Sequence, residues 1–132
     1  MTDCVFCHPD RPLLAESKLS FAFLDGFPIS NGHALIVPKR HIVSIWEMTG
    51  DEYADAFNLI RRVRDILQKQ FEPHGFNVGV NCGETAGQTV SHAHIHIILG
   101  TPETYQIREA ECEISFPAKE ITKHGSLHCR TL

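Results

Sequence analysis

Residues 81–98 of this chain read Asn-Cys-Gly-Glu-Thr-Ala-Gly-Gln-Thr-Val-Ser-His-Ala-His-Ile-His-Ile-Ile. Three histidines, His92, His94 and His96, alternate with small or aliphatic residues in the second half of this stretch. Successive side chains of a β-strand point to opposite faces, so the pattern predicts three imidazoles on one face and aliphatic side chains in the core. We therefore expect a strand over residues 90–99.

The three histidines allow three interpretations. They could be the polar face of a half-exposed strand, the ligands of a catalytic metal, or a nucleophile with neighbours that bind its substrate. The preceding loop favours the third, because its small residues, Gly83, Ala86 and Gly87, allow backbone N–H groups to approach a phosphate closely. Gln88 and Thr89 add side-chain donors. A phosphate-binding loop that leads into a histidine strand indicates attack of an imidazole on phosphorus.

Further elements are predicted on both sides of this loop and strand. Residues 19–24, 33–37 and 76–80 read as strands, and Asn31-Gly32 is a hairpin signal between the first two. A capping box at Thr49 and Glu52 begins a helix, which Pro73 and Gly75 end. The fold class is therefore α+β, a mainly antiparallel sheet with one long helix and a short one. The apolar stripe of the long helix comprises Tyr53, Ala56, Phe57, Ile60, Val63, Leu67 and Phe71.

The composition excludes several classes of protein. The chain has 132 residues, of which 42% are hydrophobic and 21% charged, values that suit one folded domain. A formal net charge of −4 argues against nucleic acid as a partner. The apolar run at residues 21–24 is too short to span a bilayer, and the first residues do not resemble a signal peptide. Five cysteines without a disulfide spacing then favour a reducing, cytoplasmic location.

The stretch of residues 81–98 resembles the signature of the histidine triad (HIT) family, whose members are nucleotide hydrolases and transferases. Residues 21–41 are similar to the N-terminal half of that family and read Phe-Ala-Phe-Leu-Asp-Gly-Phe-Pro-Ile-Ser-Asn-Gly-His-Ala-Leu-Ile-Val-Pro-Lys-Arg-His. The resemblance covers residues 4 to about 98. It implies a HIT-like fold for a domain over residues 1–98.

The resemblance also implies a mechanism. The middle histidine, His94, would attack the α-phosphorus of a nucleotide conjugate and form a nucleotidyl-histidine that water releases, with a backbone carbonyl fixing its tautomer. His96 would bind phosphate oxygens and assist the leaving group. The substrate would be a dinucleoside polyphosphate or a nucleoside phosphoramidate; similarity to bacterial members described as diadenosine tetraphosphate hydrolases slightly favours the first. Two other classes stay open, a non-catalytic nucleotide-binding regulator and a metal-dependent hydrolase that uses the three histidines as ligands.

Nucleotide-binding residues follow from the same resemblance. Asp25 matches the acid that binds ribose, although an aspartate before Gly26 is also an ordinary turn residue. Phe23 and Leu24 match the wall of the base pocket, but neighbours in a strand point to opposite faces. His33 matches a histidine that supports the triad from behind. The remaining implied nucleotide-binding residues are Asn81, Gly87, Gln88, Thr89 and His96.

Cys4 and Cys7 match a cysteine pair that binds zinc in many members of the family. The matching histidines are His41 and His92, and two thiolates with two imidazoles would make a closed, structural zinc site. The alternative is a pair of reduced thiols without metal. The resemblance further implies a homodimer in which two sheets join about a two-fold axis.

The resemblance fails after Ile98. Zinc-type relatives continue with a segment like P-R-G-G-V-R, whereas residues 99–132 have no periodicity that we can assign. Codons for the residues from Leu99 onward, read two bases downstream, can encode PGDTGNLPNPRGGVRNIIPGKGNY followed by a stop. We interpret residues 99–132 as an atypical, frameshifted C-terminal tail without catalytic residues. The alternative is a genuine ending of this lineage.

Overall fold

A five-stranded antiparallel sheet carries one long helix across one of its faces. The computed structural model describes residues 4–102. The strands are β1 (Leu13–Glu16), β2 (Ser20–Leu24), β3 (Ala34–Pro38), β4 (Gly75–Gly79) and β5 (Ile95–Gly100), arranged in the order β1-β2-β3-β5-β4, and the helix is α1 (Gly50–Phe71). Two single turns of 3₁₀ helix, Ile45–Glu47 and Glu84–Ala86, take the place of the expected short helix. The predicted α+β class and the antiparallel pairing are confirmed.

The strands begin and end close to the predicted positions, with two exceptions. β1 is not predicted from the sequence, and its partner is β2. β5 begins at Ile95 and not at residue 90, because the chain turns before it joins the sheet: the His92 N–H donates to the Val90 carbonyl at 2.9 Å. His92 and His94 therefore precede the strand, and only His96 lies within it.

The β2–β3 connection is a wider loop than an Asn-Gly pair alone favours. The Asp25 N–H donates to the His33 carbonyl at 2.8 Å, so that residues 25–33 form the loop. Gly32 lies inside it with a φ of +85°, a conformation that favours glycine. A Cβ atom at this position would lie 2.8 Å from the Leu99 side chain. The predicted hairpin is confirmed, and its loop carries Asp25 and His33 at its two ends.

Helix α1 begins at the predicted capping box, in which the Thr49 hydroxyl accepts from the Glu52 N–H and the Glu52 carboxylate accepts from the Thr49 N–H. Its buried face is centred on Leu59 and Val63, which pack with small and branched residues of the sheet. Phe57 is 52% exposed, so its assignment to the apolar stripe was wrong. Leu59, absent from that prediction, is 1% exposed and occupies the centre of the helix–sheet core.

A second, smaller core covers the opposite face of the sheet and consists of Phe6, Phe21, Phe23, Leu35 and Val37. No helix between residues 4 and 102 has both the length and the apolar character that crossing a bilayer requires. β5 includes Leu99 and Gly100, two residues beyond the predicted domain boundary. From residue 103 onward, the predicted C-terminal tail lies outside the residues that the structure describes.

Candidate functional site

Four metal-ligating side chains meet where the N-terminal turn approaches the start of the histidine segment. The Cys4 Sγ lies 3.4 Å from the His92 Nδ1, and the Cys7 Sγ lies 3.1 Å from the His41 Nδ1. All four donor atoms lie within 4.8 Å of one another. His41 follows β3 and His92 precedes β5, so the cluster joins three separate parts of the chain. The structure thus brings the four predicted ligands together.

The donor set and its geometry fit zinc. Zinc bound tetrahedrally at about 2.0 Å from nitrogen and about 2.3 Å from sulfur keeps its ligands roughly 3.5 Å apart, close to the separations found here. The His92 Nε2–H donates to the Pro38 carbonyl at 2.8 Å. The lone pair of this imidazole is therefore on Nδ1, facing the sulfurs. Burial raises the pKa of the Cys7 thiol, with a further contribution from Cys4. A cation in the cluster would favour the thiolate instead.

His94 has the tautomer that a nucleophile requires. Its Nδ1–H donates to the His92 carbonyl at 2.7 Å, which leaves the lone pair on Nε2. The side chain is buried, and burial lowers its pKa, although the hydrogen bond to the carbonyl and the charge of Asp25 oppose that shift. Burial therefore favours the neutral form of His94, in which Nε2 is the unprotonated nitrogen.

A chain of hydrogen bonds runs from the β2–β3 loop to His96. The Ile29 N–H donates to the His33 Nδ1 at 3.0 Å, so that the proton of neutral His33 is on Nε2. That nitrogen lies 3.0 Å from the His96 Nδ1 and 3.6 Å from an Asp25 oxygen. His33 thus donates to His96, and the proton of neutral His96 is on its own Nε2.

Asp25, His33 and His96 also lie close enough together to hold a cation, but their protons do not suit one. The His33 Nε2 carries a hydrogen and has no lone pair to offer. Burial, with repulsion from His94 and His33, lowers the pKa of His96 to about 4, and burial likewise lowers the pKa of His33. His33 and His96 therefore form a hydrogen-bonded pair of neutral imidazoles beside His94, and the ring centroids of His94 and His96 are 4.8 Å apart.

The three histidines of the triad do not converge on one metal. His92 belongs to the cysteine cluster and His96 to the chain through His33, and His94 is in neither group of potential ligands. Both His92 and His94 are buried, at 0% and 5% exposure, so they are not the polar face of a half-exposed strand. Within residues 4–102 this arrangement argues against a metal-dependent hydrolase that uses all three imidazoles as ligands.

The loop before the histidines directs much of its hydrogen-bonding capacity inward. The N–H groups of Ala86 and Gln88 both donate to the Gly83 carbonyl, and the Gly87 N–H donates to the Glu84 carbonyl. These backbone donors are not available to a phosphate, contrary to the interpretation of the loop as a cradle of exposed N–H groups. Gly87 has a φ of +97°, and the Asn81 amide donates to its carbonyl at 3.3 Å.

The two side chains of Gln88 and Thr89 point to different environments. Gln88 is buried, and its amide hydrogen-bonds only to backbone groups of Gly83, Val43 and Val90 among the described contacts. Thr89 is exposed. Contacts of either residue with phosphate remain a prediction.

The predicted nucleoside side of the site is formed by the end of β2. Phe23 lies on the same face of the sheet as the histidines, whereas Leu24 packs against the core beneath helix α1. The Asp25 Oδ1 accepts from the Phe27 N–H at 3.0 Å. The carboxylate therefore makes the turn contact and also faces His33.

Sequence reasoning missed Phe6. Its ring contacts His94 edge-on, with centroids 5.0 Å apart, and meets the Phe23 ring at 5.5 Å. The position of Phe6 between Cys4 and Cys7 could have indicated this contact. A turn whose cysteines reach His92 also brings the aromatic residue between them close to His94.

Comparison with protein families identifies residues 9–103 as a match to the family model described as HIT domain. An adenosine 5'-monophosphoramidase from Schizosaccharomyces pombe is 41% identical over 107 residues, 77% of each chain. An asymmetrical bis(5'-nucleosyl)-tetraphosphatase from the same organism is 40% identical over 83 residues. That match covers 63% of this chain and only 46% of the tetraphosphatase.

Solved structures of similar proteins share the fold. A member of the HIT family from Bacillus subtilis superposes with a TM-score of 0.71 at 34% identity, covering 77% of this chain and 76% of the other. A zinc-bound histidine triad family protein from Mycobacterium smegmatis gives a TM-score of 0.68 at 28% identity and covers 76% of both chains.

Proposed function

The chain belongs to the HIT domain family, and we propose that it is a nucleotide hydrolase or transferase that acts through a covalent nucleotidyl-His94. The observation that carries this proposal is the 2.7 Å hydrogen bond from the His94 Nδ1–H to the His92 carbonyl. It supports a nucleophilic role because it keeps the reactive Nε2 unprotonated and aimed away from the backbone. The names of the two relatives from Schizosaccharomyces pombe support a nucleotide conjugate as substrate.

In the first step the His94 Nε2 attacks the α-phosphorus and forms a P–N bond. The bond from phosphorus to the leaving group breaks, and the leaving group takes its electron pair. His96 donates a hydrogen bond from its Nε2–H to that group or to a phosphate oxygen, a role that suits a neutral imidazole whose proton is kept on Nε2 by His33. Asp25 accepts from the ribose hydroxyls, and Phe23, on the face of the sheet that carries the histidines, lies beside the nucleobase.

In the second step a water oxygen attacks the same phosphorus, the P–N bond breaks, and one proton of the water is released to solvent. The electron pair returns to the His94 Nε2, and the nucleoside monophosphate leaves. The loop that carries Asn81, Gly87, Gln88 and Thr89 borders the phosphate. Splitting one displacement into two in this way lowers the barrier of each.

We assign Cys4, Cys7, His41 and His92 a structural zinc. The bound metal would hold the N-terminal turn against the histidine segment, and it supplies no step of the chemistry. Thiol ligands are kept reduced in the cytoplasm, which is the location that we propose. For the oligomeric state we propose a homodimer, formed through β4, an edge strand whose Val78 is 47% exposed.

Trapping the intermediate tests the proposed function. The purified protein is mixed with diadenosine tetraphosphate or with adenosine 5'-phosphoramidate and quenched in alkali, in which a P–N bond survives. We expect a mass increase of one adenylyl group on the peptide that contains His94. The ratio of the two turnover rates then identifies the substrate class, for which the sequence slightly favours the dinucleotide.

Two variants control this experiment. His94→Ala should lose the adduct and turnover by at least about a thousandfold, yet bind AMP within about tenfold of the wild type, because ground-state binding does not need the nucleophile. His74→Ala changes an exposed histidine outside the site and should behave as wild type. A His94→Ala protein with a tenth of the wild-type rate would exclude the covalent mechanism. Nucleotide binding without turnover by the wild type would favour the regulator.

A further inference from the structure

The carboxamide of Gln88 is fully occupied by backbone groups of three different segments. Its Nε2 donates to the Val43 carbonyl at 2.7 Å and to the Val90 carbonyl at 3.0 Å, and its Oε1 accepts from the Gly83 N–H at 2.9 Å. The side chain is only 8% exposed. A primary amide has two N–H donors and one oxygen, so both donors and the oxygen are in use.

This arrangement leaves Gln88 poorly suited to contact a phosphate directly. A phosphate oxygen needs a donor, and each donor of Gln88 already serves a backbone carbonyl. Turning the amide toward a ligand would leave a carbonyl or the Gly83 N–H without a partner in a largely buried environment. The contacts that Gln88 makes therefore favour a role within the protein, because an unpaired buried polar group is unfavourable.

Two of the segments that Gln88 joins lead to histidines of the site, and one of them leads to His94. Val43 lies two residues after His41, and Val90 accepts from the His92 N–H as well as from Gln88. The His92 carbonyl in turn receives the Nδ1–H of His94. The path from Gln88 to the nucleophile thus runs through one turn, residues 90–92, and one carbonyl.

We propose that Gln88 is a positioning residue, whose amide holds the turn at residues 90–92 against residue 43 and thereby aims the His92 carbonyl at His94. The predicted effect of Gln88 on catalysis rests on the proposed function. It separates Gln88 from the residues that touch the nucleotide, and it attributes to the side chain an effect on the orientation of the nucleophile.

The side-chain amide protons of Gln88 provide a test that does not depend on activity. Nuclear magnetic resonance of the free protein should show the Gln88 NH₂ protons exchanging at least about tenfold more slowly than those of Gln70, an exposed glutamine on helix α1. Saturating AMP should leave the Gln88 resonances in place. Rapid exchange in the free protein, or a large shift on addition of AMP, would mean that the amide is free for the phosphate and would overturn the proposal.

Kinetics of Gln88→Glu test the consequence for catalysis. The carboxylate keeps the acceptor for the Gly83 N–H but sets an oxygen against the carbonyls of Val43 and Val90. We expect kcat to fall at least about tenfold, with KM within about threefold of wild type. Gln70→Glu makes the same chemical change on the surface and should alter neither value.

The two possible failures are distinguishable. A loss confined to KM in Gln88→Glu, with kcat unchanged, would refute the positioning role and indicate direct binding. If that variant does not fold, Gln88→Asn, which keeps the amide but is one methylene too short for these contacts, should show the same fall in kcat. An inactive wild type would contradict the proposed function, whereas slow exchange of the Gln88 amide protons would still support the hold of Gln88 on the turn at residues 90–92.

Discussion

Glu52 and Arg40 form an ion pair between the start of helix α1 and the segment that carries His41, one of the candidate metal ligands. The Arg40 guanidinium donates to both carboxylate oxygens of Glu52, at 2.7 and 2.9 Å. One of these oxygens also caps the Thr49 N–H. Chiefly through the hydrogen bonds from Arg40, the pKa of Glu52 is lowered from 4.5 to about 2. Neutralising this carboxylate should therefore destabilise the protein and loosen the residue next to His41.

The size of the effect follows from the pKa. A decrease from 4.5 to about 2 corresponds to a ceiling of about 3 kcal/mol in the free energy of unfolding at pH 7. The Glu52 side chain is 6% exposed, but Arg40 is 52% exposed, so solvent screens part of the attraction. We expect Glu52→Gln to lower the free energy of unfolding by about 1–2 kcal/mol, since glutamine keeps one oxygen for the cap and loses the charge and the second acceptor for Arg40.

Urea denaturation of wild type and Glu52→Gln at several pH values measures this loss. A carboxyl with a lowered pKa stabilises the fold above pH 4.5, and the benefit is lost as the pH falls toward 2. The difference between the two proteins should therefore shrink by more than half between pH 7 and about pH 3. Glu47→Gln removes an exposed carboxylate from the equivalent cap position at Ser44 and should cost less than about 0.5 kcal/mol. An equal loss in both variants, or a difference independent of pH, would refute this account of the ion pair.

Three further outcomes are expected. Metal analysis should find about one zinc per chain. Cys7→Ser should lose metal and thermal stability, whereas Cys82→Ser, which replaces a free cysteine outside the cluster, should lose neither. Equal metal content in the two variants would exclude the assigned ligands. Sedimentation at micromolar concentration should give a dimer for the wild type and a monomer for Val78→Lys. Leu13→Lys, on the opposite edge strand, should remain dimeric. A monomeric wild type would refute the proposed dimer. The coding sequence from codon 99, read two bases downstream, should encode the string that contains PRGGVR; any other reading contradicts the frameshift interpretation.

The elements that the sequence could predict are those with a local cause. Helix α1 begins at Thr49 because a threonine and a glutamate three residues later satisfy each other's backbone donors, and this signal lies within four residues. The candidate metal ligands could also be predicted, since the resemblance pairs Cys4 and Cys7 with two distant histidines. The helix start depended on residue types at fixed spacing and the candidate ligands on the resemblance, and the structure brings the four ligand side chains together as expected.

The parts that could not be predicted depend on distant contacts. Residues 90–94 alternate like a strand, yet the Ala93 N–H donates to the Ile42 carbonyl and the segment turns before the sheet begins. Phe57 has the right spacing for the apolar stripe, but the sheet meets helix α1 along a line centred on Leu59. The sequence pattern does not say which flank of a stripe the partner element covers.

The position of the proton on each histidine also could not be predicted from the sequence pattern. Main-chain groups determine which ring nitrogen carries the proton, and so what each imidazole can do. The Pro38 carbonyl fixes the proton of His92 on Nε2 and leaves Nδ1 for a metal. The His92 carbonyl fixes the proton of His94 on Nδ1 and leaves the lone pair on Nε2, as the proposed nucleophile requires. The Ile29 N–H donates to the Nδ1 of His33, so that the proton of this imidazole is on Nε2 and His33 donates to His96. The resemblance implied such a carbonyl only for His94. A carbonyl or an N–H belongs to almost every residue and leaves no mark in the sequence, so chemically identical side chains acquire their separate roles only when the fold brings particular backbone groups to them.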